Sequence, residues 1–430
     1  MTQPRKKLLI VDVAALGWDF VTRRPLDGLS FHRVETVFPA LTCTVQASLR
    51  TASLPRDHGM VANGLFFRHL RRVMFWEQSA ALVIGPRIWD GLRRTGGKVG
   101  MMFFQQSLGE SVDLVLSPRP VHRHHGGMIQ DCYSQPPDLY GRLSSRLGRP
   151  FDVMHYWGPL ASAKSTEWIV DAAEEVMRSP DLAPDVLMTY LPHLDYDLQR
   201  HGPDSRQALQ ALDKVYAWLA DLRRFAETAG YDWLFFGDYA IEAVRGGPVF
   251  PNRLLRDAGL FAVRTVQGRA YPDFFTSRAI AVADHQVAHV FTADRDSTER
   301  AAGIFHDVQG IGEILDRAAQ QRLGLDVARS GDLVLVADRG FWFAYPWWTE
   351  KGEAPDYAGH VDIHNKPGCD PCELFFGWPP PKVSADPTRV RGTHGRRGAD
   401  TSVAWASSCE FAEQPQTLID LARMVKKRLE

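Results

Sequence analysis

Four compact apolar runs constrain this chain more than any other feature: Lys7 to Asp12 (KLLIVD), Lys98 to Phe104 (KVGMMFF), Asp185 to Leu191 (DVLMTYL) and Asp232 to Phe236 (DWLFF). Each is bounded by glycine, proline or charge, as expected of parallel strands covered on both faces. Helical stretches lie between them, notably 86–95 and 205–230. The alternation predicts an α/β sheet with helices on both sides. Three of the four strands deliver a carboxylate at or just past the carboxyl end: Asp12, Asp195 and Asp238. Ligands of open α/β sheets bind outside that edge. One such Asp is ordinarily a loop residue or helix cap, whereas three on one edge predict a cation site.

A hydroxyl is placed to face that site. Thr42 lies in Val37-Phe38-Pro39-Ala40-Leu41-Thr42-Cys43-Thr44-Val45-Gln46, where a Pro-marked extended segment turns into a helix. Asn63 follows twenty-one residues on, beyond the turn at His58-Gly59. Taken alone, Thr42 reads as an N-cap before an amphipathic helix. A helix N-terminus also offers free N–H groups and a positive dipole end to an anion. Beside bound cations, such a hydroxyl has the setting of a nucleophile for phosphorus.

Composition narrows the class. A chain of 430 residues, 45% hydrophobic, can build one large α/β core with inserted lobes. The formal net charge of −1 gives no polyelectrolyte signal for nucleic acid or a membrane surface. Five irregularly spaced cysteines make no disulfide framework, and the first strand begins by residue 7, so a cytoplasmic protein is expected. No run reaches the roughly 18 apolar residues of a membrane span.

Several motifs share their order and spacing with a known family. They are Asp12, Phe38-Pro39-Ala40-Leu41-Thr42, Pro55-Arg56-Asp57-His58-Gly59 with Asn63, the segment from Asp195 to Gly202-Pro203, Gly237-Asp238-Tyr239 and Gly392-Thr393-His394-Gly395. On these the chain resembles the type I phosphodiesterase/nucleotide pyrophosphatase branch of the alkaline phosphatase superfamily, in a bacterial subgroup. The resemblance spans residues 12 to 395, and the Thr42 to Asn63 segment is its specific part.

The resemblance implies an alkaline-phosphatase-like α/β domain over residues 1–430. It has a mostly parallel central sheet sandwiched by helices, with cap insertions within 64–180 and 245–390. It implies two divalent metal ions, zinc or manganese with magnesium as a further option. One would be held by Asp12, Thr42 and Asp238, with Tyr239 at the fourth position, and the other by Asp195, Gln199 and His394. Two positions depart from the family pattern, because Gln199 and Tyr239 stand where it has histidine. Amide and phenol oxygens are poorer zinc donors than imidazole.

Replacement donors are therefore sought elsewhere. His360, Asp362 and His364 alternate in an extended segment, so they can share a face, and Lys366 can contact phosphate. An ordinary polar loop with capping Asp residues is an equal reading. The segment around His364 is expected to fold over the metal site, and His193 is a further candidate contact. In Asp284-His285-Gln286-Val287-Ala288-His289 the two histidines would stack on one face of a helix, but the flanks read as strand and favour a structural role. Cys369-Asp370-Pro371-Cys372 is a single CxxC without a second pair, weak evidence for a zinc ribbon or redox centre. The histidines at 122, 124 and 125 read as a solvated basic loop or a contact for an anionic substrate tail, and the aromatic stretch 341–348 as core ahead of a stacking wall for a flat group.

Together these features predict a metal-dependent hydrolase of phosphodiester or pyrophosphate bonds acting on a small phosphorylated substrate. Thr42 is its nucleophile, with a covalent intermediate. Asn63 and the Cys43 N–H would stabilise the equatorial oxygens. Two alternatives are a sulfatase- or phosphonatase-like hydrolase on the same site and a degenerate member that binds a phosphorylated metabolite without turnover.

Overall fold

The computed structural model describes residues 7–125 and 127–430. Its centre is an eight-stranded sheet: β1 (Lys7–Val13), β2 (His32–Val34), β3 (Val99–Met102), β4 (Leu114–Pro118), β5 (Cys132–Gln135), β6 (Val186–Leu191), β7 (Tyr231–Gly237) and β8 (Val403–Ser407). The strand order is β2-β8-β7-β1-β6-β3-β4-β5. The inner run from β7 to β4 is parallel, and β8, β2 and β5 join antiparallel at the two sides. All four apolar runs thus become neighbouring parallel strands. The run at 98–104 is strand only over Val99–Met102, because the backbone at Phe103 turns to φ +60°.

Helices cover this sheet. Five carry labels: α1 (Thr42–Thr51), α2 (Ala163–Arg178), α3 (His193–His201), α4 (Arg206–Thr228) and α5 (Leu418–Leu429). Helices α2 and α4 pack on each other and against β6 and β7 respectively, while α1 packs against α5. The stretch 205–230 is α4, started by Ser205 Oγ accepting the Ala208 N–H. The stretch 86–95 is helical only over Asp90–Arg94, because the Asp90 carboxylate accepts the Arg87 N–H at 2.8 Å and closes a turn ahead of it.

The stretch 64–180 carries core strands as well as an added hairpin. It supplies β3, β4 and β5 of the central sheet besides a hairpin of Gly64–Phe67 with Arg72–Phe75. Within 245–390 lies a second sheet, antiparallel, in the order Ala279–Asp284, Val287–Thr292, Leu333–Ala337, Ile311–Leu315. It has its own apolar cluster, including Ala281, Phe291, Phe343 and Trp347. Strands rather than a helix therefore flank Asp284-His285, as the flanking residues predict.

Candidate active site

Register places the three carboxylates together. Asp12 pairs with Tyr190 of β6 and Phe236 of β7, near the carboxyl ends of all three strands. Asp238 follows β7 directly, and Asp195 sits in the first turn of α3, just past β6. All are buried: Asp12 and Asp238 have no exposed surface and Asp195 has 5%.

Thr42 opens α1 after an extended Leu41 (φ −130°, ψ 143°). One helical turn on, Gln46 reaches the same site, and its Nε2 donates to Asp12 Oδ2 at 2.8 Å. Gln46 Oε1 in turn accepts the Gln105 N–H at 2.7 Å, which fixes the amide's orientation. Gln46 lies inside the Thr42 motif, and its spacing of four residues from Thr42 was the available signal for a role that sequence reading missed.

Asn63 is held at both ends. Its Oδ1 accepts the Cys43 N–H at 3.0 Å, while its Nδ2 and backbone N–H donate to Asp284 at 3.2 and 2.8 Å. The Cys43 N–H, expected to face a phosphoryl oxygen, is thus engaged by Asn63 in this structure. Asp284 is a second residue that sequence reading did not assign to the site.

The carboxylates differ in what satisfies them. Asp238 Oδ1 accepts the N–H groups of Ala15 (3.1 Å) and Tyr239 (2.9 Å). Asp12 Oδ1 and Asp238 Oδ2 are buried without a donor. Burial, and for Asp238 the proximity of Asp12, raise both acids far above the ordinary carboxylate range. Two buried carboxyl groups, each with an oxygen lacking a donor, are the arrangement a divalent cation would neutralise, so the set with Thr42 fits one.

Asp195 is different. Its Oδ2 accepts from Gln199 Nε2 at 2.7 Å and its Oδ1 from the Tyr239 hydroxyl at 3.0 Å. Burial still lifts it to about 6, against the pull of these donors. The Tyr239 ring lies flat on His394, whose Nδ1–H donates to the Ala40 carbonyl at 2.8 Å. Both Asp195 oxygens thus have protein donors, whereas Gln199 Oε1 is buried without one.

The additional candidates are engaged elsewhere. Lys366 is 1% exposed, and its ammonium lies 2.7 Å from both Asp370 and Glu373. His364 is exposed, with Nδ1 on the Phe75 carbonyl at 3.1 Å. The Asp362 carboxylate caps Asn365. His193 is buried between Tyr196 and Trp218, and neither ring nitrogen has a partner. Burial lowers its pKa to about 3, so it is neutral.

The family profile of type I phosphodiesterase / nucleotide pyrophosphatase matches residues 24–370. No curated protein sequence matches the chain. Among solved structures, phosphonoacetate hydrolase from Sinorhizobium meliloti 1021, in complex with phosphonoformate, is similar at TM-score 0.64 and 15% identity, covering 99% of this chain and 96% of that one. Murine ectonucleotide pyrophosphatase / phosphodiesterase 5 is similar at TM-score 0.63 and 15% identity, covering 99% and 95%. An inactive form of the murine protein in complex with AMP gives 0.62 at 15% identity, covering 99% and 95%. At such identities these likenesses show the alkaline-phosphatase-like fold.

Proposed function

The chain belongs to the type I phosphodiesterase / nucleotide pyrophosphatase family, and we propose that it cleaves phosphodiester or pyrophosphate bonds with Thr42 as nucleophile. One observation carries the reading. Thr42 starts a helix on whose next turn Gln46 holds Asp12, and Asp12 and Asp238 each keep one buried oxygen without a donor. A divalent cation bound there supplies positive charge for a phosphoryl oxygen and lowers the pKa of the hydroxyl.

The chain's own residues supply positioning. The Tyr239 phenol donates to Asp195 at 3.0 Å, and on this reading these two groups take up the threonine proton. Thr42 Oγ1 then attacks phosphorus in line. A phosphorus–oxygen bond to Thr42 forms as the bond to the leaving oxygen breaks, and water later cleaves the ester to restore the hydroxyl. Asn63, locked by Asp284, fixes the start of α1 so that the hydroxyl does not wander. The substrate is a small phosphorylated molecule.

The test is hydrolysis of bis(p-nitrophenyl) phosphate by the metal-loaded protein, before and after chelation. Turnover lost on chelation and restored by Mn²⁺ or Zn²⁺ is expected. Turnover that survives complete metal removal would sink the metal-dependent reading. A second reading, binding without turnover, is favoured by the occupied carboxylate of Asp195. Stoichiometric metal uptake without hydrolysis of any diester or pyrophosphate would select it.

A further inference from the structure

Outside the carboxylate set, the described residues contain one trio of buried ligand-type side chains whose donor atoms all lie within 4.8 Å of one another: Asp284, His285 and Cys369. Asp284 and Val287 pair across a two-residue hairpin turn formed by His285 and Gln286. The Cys369 N–H donates to the Ala283 carbonyl at 2.9 Å and so pins the thiol to the same turn. Cys369 Sγ lies 3.3 Å from His285 Nε2. The His394 ring stands 4.1 Å from that of His285.

Two features go beyond a simple thiol–imidazole hydrogen bond. His285 holds φ +54°, a region that a non-glycine residue keeps only where its surroundings impose it. Three backbone bonds do so: Phe343 N–H to the His285 carbonyl (2.7 Å), Gln286 N–H to the His394 carbonyl (2.9 Å) and Ala337 N–H to the Gln286 carbonyl (2.9 Å). In addition, His285 Nδ1 is buried with no partner, in a residue only 3% exposed. Cys372 does not share the site. It packs with Trp342, Ala344 and Val390 in another cluster, so the CxxC sequence does not act as a pair.

We propose that Asp284, His285 and Cys369 form a zinc site separate from the Asp12–Asp238 pair, with His394 beside it. Thiolate, imidazole and carboxylate are the donors zinc favours, whereas the carboxylate-only pair suits harder ions. The consequence reaches the nucleophile. Asp284 holds Asn63, and Asn63 holds the Cys43 N–H, so an ion at Asp284 braces the first turn of α1. This inference does not depend on the reaction proposed above.

Cobalt substitution tests it without turnover. Full-length protein stripped of metal and titrated with Co²⁺ is expected to develop the near-ultraviolet thiolate-to-cobalt absorption. The band should vanish in Cys369→Ser and persist in Cys372→Ser and in Asp12→Asn. Zinc content should fall by about one equivalent per chain in Cys369→Ser. No thiolate band in the wild-type protein at saturating Co²⁺, or a band that survives Cys369→Ser, overturns the proposal. Should Cys369→Ser not fold, X-ray absorption of the zinc-loaded wild type decides. One sulfur in the shell supports the site, and a shell of only nitrogen and oxygen refutes it.

Discussion

The phenol ring of Tyr239 lies flat on the imidazole of His394, with centroids 3.5 Å apart and planes 6° from parallel. From there its hydroxyl reaches Asp195 Oδ1 at 3.0 Å, while Gln199 takes the other oxygen. The two residues that depart from the family's histidines therefore act together. Each gives a protein hydrogen-bond donor to the carboxylate that the family pattern would assign to a cation. The departure is one coordinated change in what neutralises Asp195.

Reversing it should reopen that position. In Gln199→His/Tyr239→His the donors on Asp195 become imidazoles, and affinity for a second zinc ion is expected to rise by at least about tenfold. Calorimetric titration of the double variant against wild type measures this. Equal affinity and stoichiometry in the two proteins would show that Tyr239 and Gln199 do not control occupancy there.

Thr42→Ala should reduce kcat by at least ~10³ while leaving the fold unchanged, because a small buried residue loses its nucleophilic oxygen. Thr42 has 3% of its surface exposed, and Leu41 rather than Thr42 is the N-cap, so no cap is lost. Melting temperature and kcat measured together separate the roles. Retained turnover at an unchanged melting temperature would exclude Thr42 as nucleophile.

Diesters should be preferred over monoesters. A monoester carries one more negative charge, and the neighbours of Thr42 in sequence (Leu41, Cys43 and Thr44) are neutral. Arg50, the nearest cation along α1, is fully buried and donates to the Gln106 carbonyl at 2.9 Å with Glu110 at 3.7 Å. It is committed to that loop. The ratio of kcat/KM for p-nitrophenyl phosphate and its diester decides the point, and a strong monoester preference would contradict it.

The central sheet was legible because parallel strands covered on both faces must be apolar runs, and the carboxylates follow them at fixed places. Asp12, Asp195 and Asp238 could be placed from strand ends alone. Gln46 was hidden because an amide one turn into a helix has no distinctive pattern until Asp12 is known to face it. Asp284, His285 and Cys369 were hidden for a topological reason. The hairpin turn at 284–287 and the strap around 369 meet only through tertiary packing, and no sequence period links residues eighty-five apart. The expectation for His364 rested on alternation in an extended segment, whereas Asp362 instead caps a local turn. On that geometry, His364→Ala should change metal affinity less than His394→Ala does, which the same titrations measure.

The acidic set sets the pH response of the metal-free protein. Burial raises Asp195 to about 6 and Asp284 to about 7, and it lifts Asp12 and Asp238 as well. An acid whose folded-state pKa lies above its unfolded value binds more protons when folded. Its contribution is fully present below the ordinary carboxylate pKa near 4 and is lost as pH rises through the folded value. Stability should therefore fall between about pH 4 and pH 7, and further as Asp12 and Asp238 ionise. A bound divalent cation should oppose this fall, because it favours the ionised carboxylates and binds only the folded chain. Thermal melts at pH 5 and pH 8, with chelator or with Mn²⁺, test the pair of claims. The metal-free melting temperature should drop on going to pH 8, and Mn²⁺ should recover it. Asp12→Asn should flatten the metal-free profile, since an amide has no charge to develop, and an undiminished slope in that variant would place the titrating groups elsewhere.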